Sequence, residues 1–517
     1  MFPLQKMGLK MEIELKLRLP PHCTSRLRRH PLLNSRTSQR RRLLSIYFDT
    51  PKFELMQRGI ALRLRRINQQ WIQTLKAEAQ SVGALTSRPE WEIPVAAGEQ
   101  PNFSLLPDTA MNLLAGIKLK HVAPLFTTEF QRTTWQIETP AGHAEVALDH
   151  GKIIAGEKQQ ALCEVEIELK SGSADCLFEI ALQLLHDVPL QIEPRSKAER
   201  GYLLSGATEA KPVKSIHADI RPHHTSIEAW HILMHAALAH TVANVPGFLK
   251  HEPDSEYLHQ LRIGLRRLRT GAVLAKSLGQ TTTAWNQPLR ELMHGLNSAR
   301  DWDVFLHDSL PRLATKLSQL PDSSWNQSAL TVLSKHAKHI RQQAQAHLMA
   351  SSFTQLVLDI GRTLLVPSTS EEAHSVKAWA HTILERRWQK LRSQCHDFHT
   401  LNPDQRHQVR IAAKKMRYTA EAFAALYEDT HTQPFLAALA ALQDQLGGER
   451  DVRIGMQLLR SVPQQTRLIS FEFGRMHGAF ELEASQFSSL SDTIWKHLAK
   501  STLFWRSKKR KDRSGVD

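Results

Sequence analysis

The sequence predicts an α+β chain of two unlike parts, a β-rich first part and an all-α second part that is internally duplicated. Three observations carry that reading. Glu12-Ile13-Glu14-Leu15-Lys16 and, later, Glu164-Val165-Glu166-Ile167-Glu168-Leu169 alternate charged with apolar residues at period two, so each is a strand with one charged face. From Ser226 to about Lys500 the apolar residues recur instead at helical spacing, in a stretch rich in Leu, Ala, Gln, Arg and His. Within that stretch, His259-x-x-Arg262-x-x-x-Arg266-Arg267-x-Arg269 returns 148 positions later as His407-x-x-Arg410-x-x-x-Lys414-Lys415-x-Arg417. Leu296 to Arg300-Asp301 likewise returns as Leu446 to Arg450-Asp451, 150 positions on. So many matches in one order mark a duplication.

A lone alternating segment is ordinarily an edge strand with a solvated face. The residues between the two acid strands argue for more. Ala61-Leu62-Arg63-Leu64-Arg65 puts two arginines on one strand face, Trp71 to Lys76 is a strand-like run ending in a lysine, and Arg88, Glu90 and Glu92 alternate again. Strands that present acids and bases, each alternating with apolar residues, suit a barrel with a charged lumen. Carboxylates there would hold a hard divalent cation, and arginines and lysines a polyanion.

The ordered set Glu12-x-Glu14-x-Lys16, Tyr47-Phe48-Asp49-Thr50-Pro51, Leu55, Gly59, Ala61-Leu62-Arg63-x-Arg65, Lys76 and Glu164-x-Glu166-x-Glu168 resembles the CYTH domain of the triphosphate tunnel metalloenzymes. The resemblance implies an eight-stranded antiparallel β tunnel that binds a triphosphate-bearing substrate with Mg2+ or Mn2+ and hydrolyses a phosphoanhydride bond. It implies metal ligation by Glu12, Glu14, Glu164, Glu166 and Glu168, with Asp149 at the acidic position before the last acid strand, and a catalytic group of Glu12, Glu14 and Lys16. Lys16, Arg63, Arg65, Lys76, Arg132 and Lys197 would clamp phosphate oxygens, arginine in bidentate fashion and lysine as a point charge. For Arg132 and Lys197 an exposed base is the alternative reading. Carboxylate-rich sites suit magnesium or manganese better than zinc, and the sequence has no cysteine and histidine cluster at zinc spacing.

At 517 residues, 41% hydrophobic and 23% charged, the chain has the length of at least two domains and a globular balance. No apolar run reaches the roughly 18 residues of a transmembrane helix, so no membrane partner is expected. Met1 to Lys10 lacks a secretory core, and the CYTH resemblance, whose members commonly begin just before the acid pair, implies a start at Met7 or Met11. Four cysteines without a disulfide framework suit a reducing cytoplasm. The formal charge of +16 points to a polyanionic partner. Aromatic residues are only 7% and no RNA-binding or zinc-finger pattern is present, which argues against nucleic acid.

Gly206, Lys211-Pro212 and Arg221-Pro222-His223-His224 interrupt the pattern. The expected units are therefore 10–205, a linker at 206–221, a helical part at 222–505 and a solvated basic tail at 506–517. In the first helical copy, at about 100° per residue, His259, Arg262, Arg266 and Arg269 share an arc of roughly 80° opposite Leu261, Leu265 and Leu268. The second copy sets His407, Arg410, Lys414 and Arg417 opposite Val409, Ala413 and Met416. A solvated face is the ordinary reading of a basic stripe. Here the stripe has no interspersed acids and occurs twice, and like charges at i, i+4 repel unless an anion compensates.

The helical part resembles the CHAD domain, a histidine- and base-rich domain often fused behind a CYTH domain. The resemblance implies two related four-helix bundles enclosing a basic groove for inorganic polyphosphate. His259, Arg262, Arg266, Arg267, Arg269, His407, Arg410, Lys414, Lys415 and Arg417 match its basic positions. Arg300 and Arg450 divide between that role and stapling helices to a nearby aspartate. Together the two parts are similar to bacterial inorganic triphosphatases: the expected reaction splits tripolyphosphate into diphosphate and phosphate, beside a module that binds polyphosphate. The rivals are a hydrolase or cyclase acting on an organic triphosphate, such as thiamine triphosphate or ATP, and a polyphosphate-binding protein without activity.

Overall fold

A computed structural model describes residues 11–506, apart from 78–79, 83–84, 97–99, 215–217, 253, 317–323, 366–374, 396–397, 464–465 and 486–489. The expected start at Met7 and the tail beyond Arg506 lie outside the described residues.

The β-rich part is a closed antiparallel barrel of eight strands: β1 Met11–Arg18, β2 Gln39–Asp49, β3 Ala61–Ile67, β4 Gln70–Lys76, β5 Leu85–Val95, β6 Ala123–Thr139, β7 Gly142–Ala155 and β8 Lys158–Gly172. Their order is β1-β8-β7-β6-β2-β3-β4-β5, and β5 returns to pair with β1. Two short segments, Gln80–Val82 and Gln191–Ile192, extend the sheet at β5 and at the end of β1.

Closure explains the alternation in the sequence. The charged residues of each strand face the lumen, and the apolar ones face outward to be covered. Leu15 and Leu17 of β1 and Val165 and Ile167 of β8 are fully buried under helix α1 (Asp175–Asp187). Leu62 and Leu64 of β3 are buried with Leu106, Leu114 and Val122 from the segment between β5 and β6. The barrel is followed by α2 (Lys197–Ser205), whose N-terminus carries Ser196 in a capping box with Glu199 and which ends at Gly206 in the left-handed region.

The rest of the chain is mostly helical. Its helices include α3 (Ser226–Phe248), α4 (Ser255–Ala275), α5 (Asn297–Val304), α6 (Ser351–Thr363), α7 (Val376–Gln394), α8 (Pro403–Phe423) and α9 (Asp429–Ser461). The pairs α3/α4 and α7/α8 are the two copies of the repeat. Their starts meet in an antiparallel bridge between Thr225 and Ser375. Trp230 donates to the Gly271 carbonyl and Trp379 to the Ser277 hydroxyl, both at 2.9 Å. The copies diverge downstream: α9 runs unbroken for 33 residues, while its counterpart breaks at Leu296 before α5.

The composition-based linker is pinned in place. Val213 N–H donates to Asn244 Oδ1 at 3.0 Å, and its carbonyl accepts from Asn244 Nδ2 and lies 3.0 Å from His240 Nε2. The two parts also share one apolar core. Phe178 of α1 packs where a side chain at Gly361 of α6 would stand, Arg362 grips Asp175 with contacts of 2.6 and 2.8 Å, and Thr354 donates to the Leu190 carbonyl at 2.8 Å.

Candidate active site

The lumen holds a cavity of about 240 Å³, lined mostly by ionisable side chains. Strand register decides how they meet. Across β1, β8 and β7, Glu14 lies beside Glu168 and Glu168 beside Glu145, while Lys16 lies beside Glu166 and Glu164 beside Asp149. On the other side of the closure Glu12 lies beside Arg88, and Lys76 of β4 beside Glu90 of β5. The acids thus come mainly from β1, β7 and β8, and the bases face them from β2 to β6.

The six expected metal-ligating acids divide into separate groups. Asp149, Glu164 and Glu166 bring carboxylate oxygens within 4.8 Å of one another, an all-oxygen set that suits a hard divalent cation. Asp149 and Glu164 are fully buried. Lys197 Nζ reaches all three acids, at 2.8 Å from Asp149 and 2.7 Å from Glu166, with a shorter contact to Glu164. Arg132 bridges Asp149, at 2.7 and 2.6 Å, and Glu166, and Arg200 adds 3.0 Å to Glu164. Burial disfavours charge on Lys197, but the three carboxylates outweigh it and raise its pKa. Burial also raises Glu164, with Glu166 adding to it against Lys197, whereas in Glu166 the bases win and the pKa falls well below the ordinary range.

Glu12 and Glu14 form a second group. Lys76 Nζ is 2.7 Å from Glu12 Oε1, and Arg88 spans the pair with 2.9 Å contacts to each. Burial pushes the Glu12 carboxyl up, yet Lys76 and Arg88 hold it far below its usual value. Glu168 pairs with Lys170 at 2.7 Å, and Lys170 lies 3.9 Å from Glu145.

The expected phosphate clamps are all in the lumen, but they differ in what they already hold. Arg132, Lys76 and Lys197 are saturated by carboxylates, and Lys16 lies 3.7 Å from Glu14. Arg63 is hydrogen-bonded with Tyr47, and its carboxylate contacts among the described residues are distant, 3.6 Å to Glu90 and 3.7 Å to Glu92. Arg65 donates to Ser45 Oγ at 3.0 Å and has no ion pair among the described residues. Burial, then Arg63 and Arg132, pull its pKa down to about 10. A buried guanidinium beside two others is short of negative charge, which is what an entering polyanion supplies.

Sequence reasoning left out Arg41, Arg88, Glu90, Glu145 and Lys170, all of which line the lumen. Glu145 was detectable, since residues 145, 147 and 149 share a strand face. Arg88 and Glu90 showed the alternation but matched no motif. Asp49, inside Tyr47-Phe48-Asp49-Thr50-Pro51, proves to be an anchor. It accepts from the N–H groups of Thr50, Leu55 and Met56 and from the Tyr202 hydroxyl at 2.8 Å, and so ties β2 to α2, the helix that carries Lys197.

In the helical part, six of the ten expected basic residues share one field: His259, Arg262, Arg266, His407, Arg410 and Lys414, joined by Arg300 and Arg450. Burial, then Arg410, Arg266, Arg450 and Arg262, lower Lys414 to about 7. The Nε atoms of Arg262 and Arg410, equivalent positions in the two copies, are buried without hydrogen-bond partners among the described residues. Arg450 reaches across to Asp301 at 3.1 Å and so staples α9 to α5. The other four have other principal partners, although Arg267 still feels Arg266. Arg267 and Arg417 turn to Glu421, at 3.9 and 2.7 Å. The charges felt by Arg269 are those of Arg290, and those felt by Lys415 are Arg387, Lys390 and Arg269.

Residues 10–202 match the CYTH domain family, and residues 232–460 match the CHAD domain family. An inorganic triphosphatase of Haemophilus influenzae is 35% identical over 194 residues, 37% of this chain and 54% of that relative. The chain therefore spans about half the length of that curated relative. The crystal structure of the CHAD domain from the plant Ricinus communis is 25% identical, covers 56% of this chain and 98% of its own, and superposes with a TM-score of 0.50.

Proposed function

This chain joins a CYTH domain to a CHAD domain, and on that premise we propose that it is a divalent-metal-dependent inorganic triphosphatase whose helical part binds inorganic polyphosphate. The observation that carries the first half is Arg65, buried in the lumen beside Arg63 and Arg132 and without a carboxylate partner among the described residues. In this reading Arg63 and Arg65 take the phosphate oxygens of tripolyphosphate, and Lys16, Lys76, Arg132 and Lys197 loosen from their acids to complete the clamp. These cations neutralise the charge that grows on the diphosphate leaving group as water attacks the terminal phosphorus.

Asp149, Glu164 and Glu166, or Glu12 and Glu14 once their cations move to the substrate, would hold magnesium or manganese. The metal supplies charge neutralisation and a more acidic bound water. The low pKa values of Glu12 and Glu166 keep those carboxylates ionised across the physiological range, as ligands for a hard cation must be.

For the helical part, the supporting observations are the unpartnered Nε atoms of Arg262 and Arg410 and the depressed pKa of Lys414. All describe a groove short of anionic charge. We take residues 10–205 and 222–505 as the working units, and a reducing cytoplasm as the location, in keeping with four buried, unpaired cysteines. Among the described residues no helix is long and apolar enough to cross a membrane.

The test is phosphate release by the full-length protein with magnesium or manganese, comparing tripolyphosphate, ATP, thiamine triphosphate and long-chain polyphosphate. A clear preference for tripolyphosphate is expected. Preference for an organic triphosphate, or no release with either metal, overturns the reading.

A further inference from the structure

The lumen does not end at the barrel wall. Lys16, Ala61, Lys76, Arg88, Ser196 and Ala198 border a second cavity of about 690 Å³ as well as the first, so the two spaces adjoin. The far side of this chamber belongs to the helical part. Ala239, Val242, Ala243 and Pro246 stand at i, i+3, i+4 and i+7 on α3, one apolar stripe along the helix, with Tyr257 of α4 beside them. Met56, Ile60, Leu203 and Val213 close the sides.

An apolar helix stripe ordinarily packs against another element. This one is packed in part, since Val242 belongs to the core and α3 touches the short strand Gln80–Val82, yet it also lines a space of ligand size. At its tunnel end the chamber is lined by Lys16, Lys76 and Arg88, which hold Glu12 and Glu14 until phosphates take their place, and it is aliphatic beyond. Its other charged lining residues are either engaged or at the rim. Arg195 is bound to Glu193 at 2.8 and 2.9 Å, Glu199 accepts from the Ser196 N–H at 2.6 Å, and Glu209, Lys211 and Lys250 are exposed. The Tyr257 hydroxyl is buried and has no hydrogen-bond partner among the described residues, which leaves a donor for a ligand. Bare phosphates would be poorly solvated against such a wall. A nucleobase would look for stacking faces and paired polar groups, where the stripe offers methyl and methylene groups.

We propose that this chamber is a subsite for the aliphatic portion of a diphosphate or triphosphate ester, with the phosphates among Lys16, Lys76 and Arg88 and the hydrocarbon on the Ala239 to Pro246 stripe. This rests on the reading of the lumen as a phosphate-chain site. It makes the helical part a wall of the substrate site as well as a polyanion groove, and the ester competes with tripolyphosphate for the tunnel.

The experiment uses the full-length protein and a series of alkyl diphosphates from methyl to octyl, with inorganic diphosphate as reference. Binding is read by calorimetry and by inhibition of tripolyphosphate hydrolysis. Each methylene that enters apolar space adds about fourfold in affinity, so the dissociation constant falls steeply along the series. Ala243→Trp, which fills the chamber from the helix surface, flattens the series and leaves the affinity for inorganic diphosphate within about twofold. Ala239→Trp does the same from one turn earlier. A flat series in the wild-type protein, a series that neither variant alters, or tighter binding of adenosine diphosphate than of octyl diphosphate overturns the proposal. Chain-length-dependent binding without tripolyphosphate turnover keeps the subsite and removes the proposed reaction. Turnover with a flat series does the reverse.

Discussion

At the level of single residues, the lumen cations sort by what they already hold, and that sorting is measurable. Lys197 compensates two fully buried acids and the half-buried Glu166, so Lys197→Met leaves uncompensated charge and lowers stability by about 3–5 kcal/mol. Arg65 has no such duty. Arg65→Met removes a buried cation that lacks a carboxylate partner, so the melting temperature holds or rises while kcat/KM for tripolyphosphate drops by about tenfold or more. Thermal denaturation beside steady-state kinetics separates the two, and equal destabilisation in both variants defeats the distinction. Lys414 gives a pH prediction. Its pKa in the free groove is about 7, and a bound polyanion raises it, so binding takes up a proton above that pH. Polyphosphate affinity is then greatest below pH 7 and weakens as pH rises from about 7 toward the raised value in the complex. Calorimetry at pH 8 in buffers of different ionisation enthalpy should show the uptake. Lys414→Arg should reduce it to the share of His259 and His407, whose pKa values are also lowered in the free groove, and identical heats in both buffers for the unsubstituted protein would disprove the linkage.

At the level of elements, α2 shows how a helix can set catalytic geometry from outside the barrel. Gly201 lies against Phe126, and a Cβ there would stand 2.0 Å from its ring. Tyr47 stacks on Phe126 at 4.7 Å, and Tyr202 meets the same ring edge-on at 5.3 Å. Gly201→Ala should therefore push α2 and Lys197 off the lumen, at about 1–3 kcal/mol of stability and with a larger fractional loss of kcat than Ser205→Ala on the same helix. Unchanged kinetics in Gly201→Ala would mean that α2 does not position Lys197. The same elements show what the sequence could disclose. Strand alternation around Glu12, Arg63 and Glu166 is local and was legible, because period two assigns a face without knowing its neighbours. The partition of the acids was not. Whether Glu164 meets Lys197 or a metal depends on register between strands far apart in the chain and on where α2 docks. The wheel that grouped Arg269 with His259 gives only an angle around the helix, while the charges met along its axis differ, Arg300 at His259 and Arg290 at Arg269.

Across the whole molecule, the continuity of the core decides how the two parts behave together. The outer face of β1 packs under α1, α1 packs on α6, and the linker strap is bonded to α3, so no seam in the apolar packing separates barrel from helices at α1 and α6. Local unfolding units follow such seams. The intact chain should therefore unfold in one calorimetric transition. Gly361→Trp places a large side chain where Phe178 sits, 2.8 Å from the Cβ position, and Arg362→Glu sets two acids against each other at Asp175. Combined, they should split the transition in two, because each part keeps its own core while the shared one is lost. Polyphosphate binding offers the complementary reading. The groove residues lie apart from the α1/α6 contact, so the affinity of the double variant and its steep decline with salt should match those of the wild-type protein. If the chain instead remains one cooperative unit after both substitutions, the docking through α1 and α6 is not what joins the parts. If groove affinity collapses with the interface, the groove draws its geometry from the barrel, and the two polyanion sites are mechanically one.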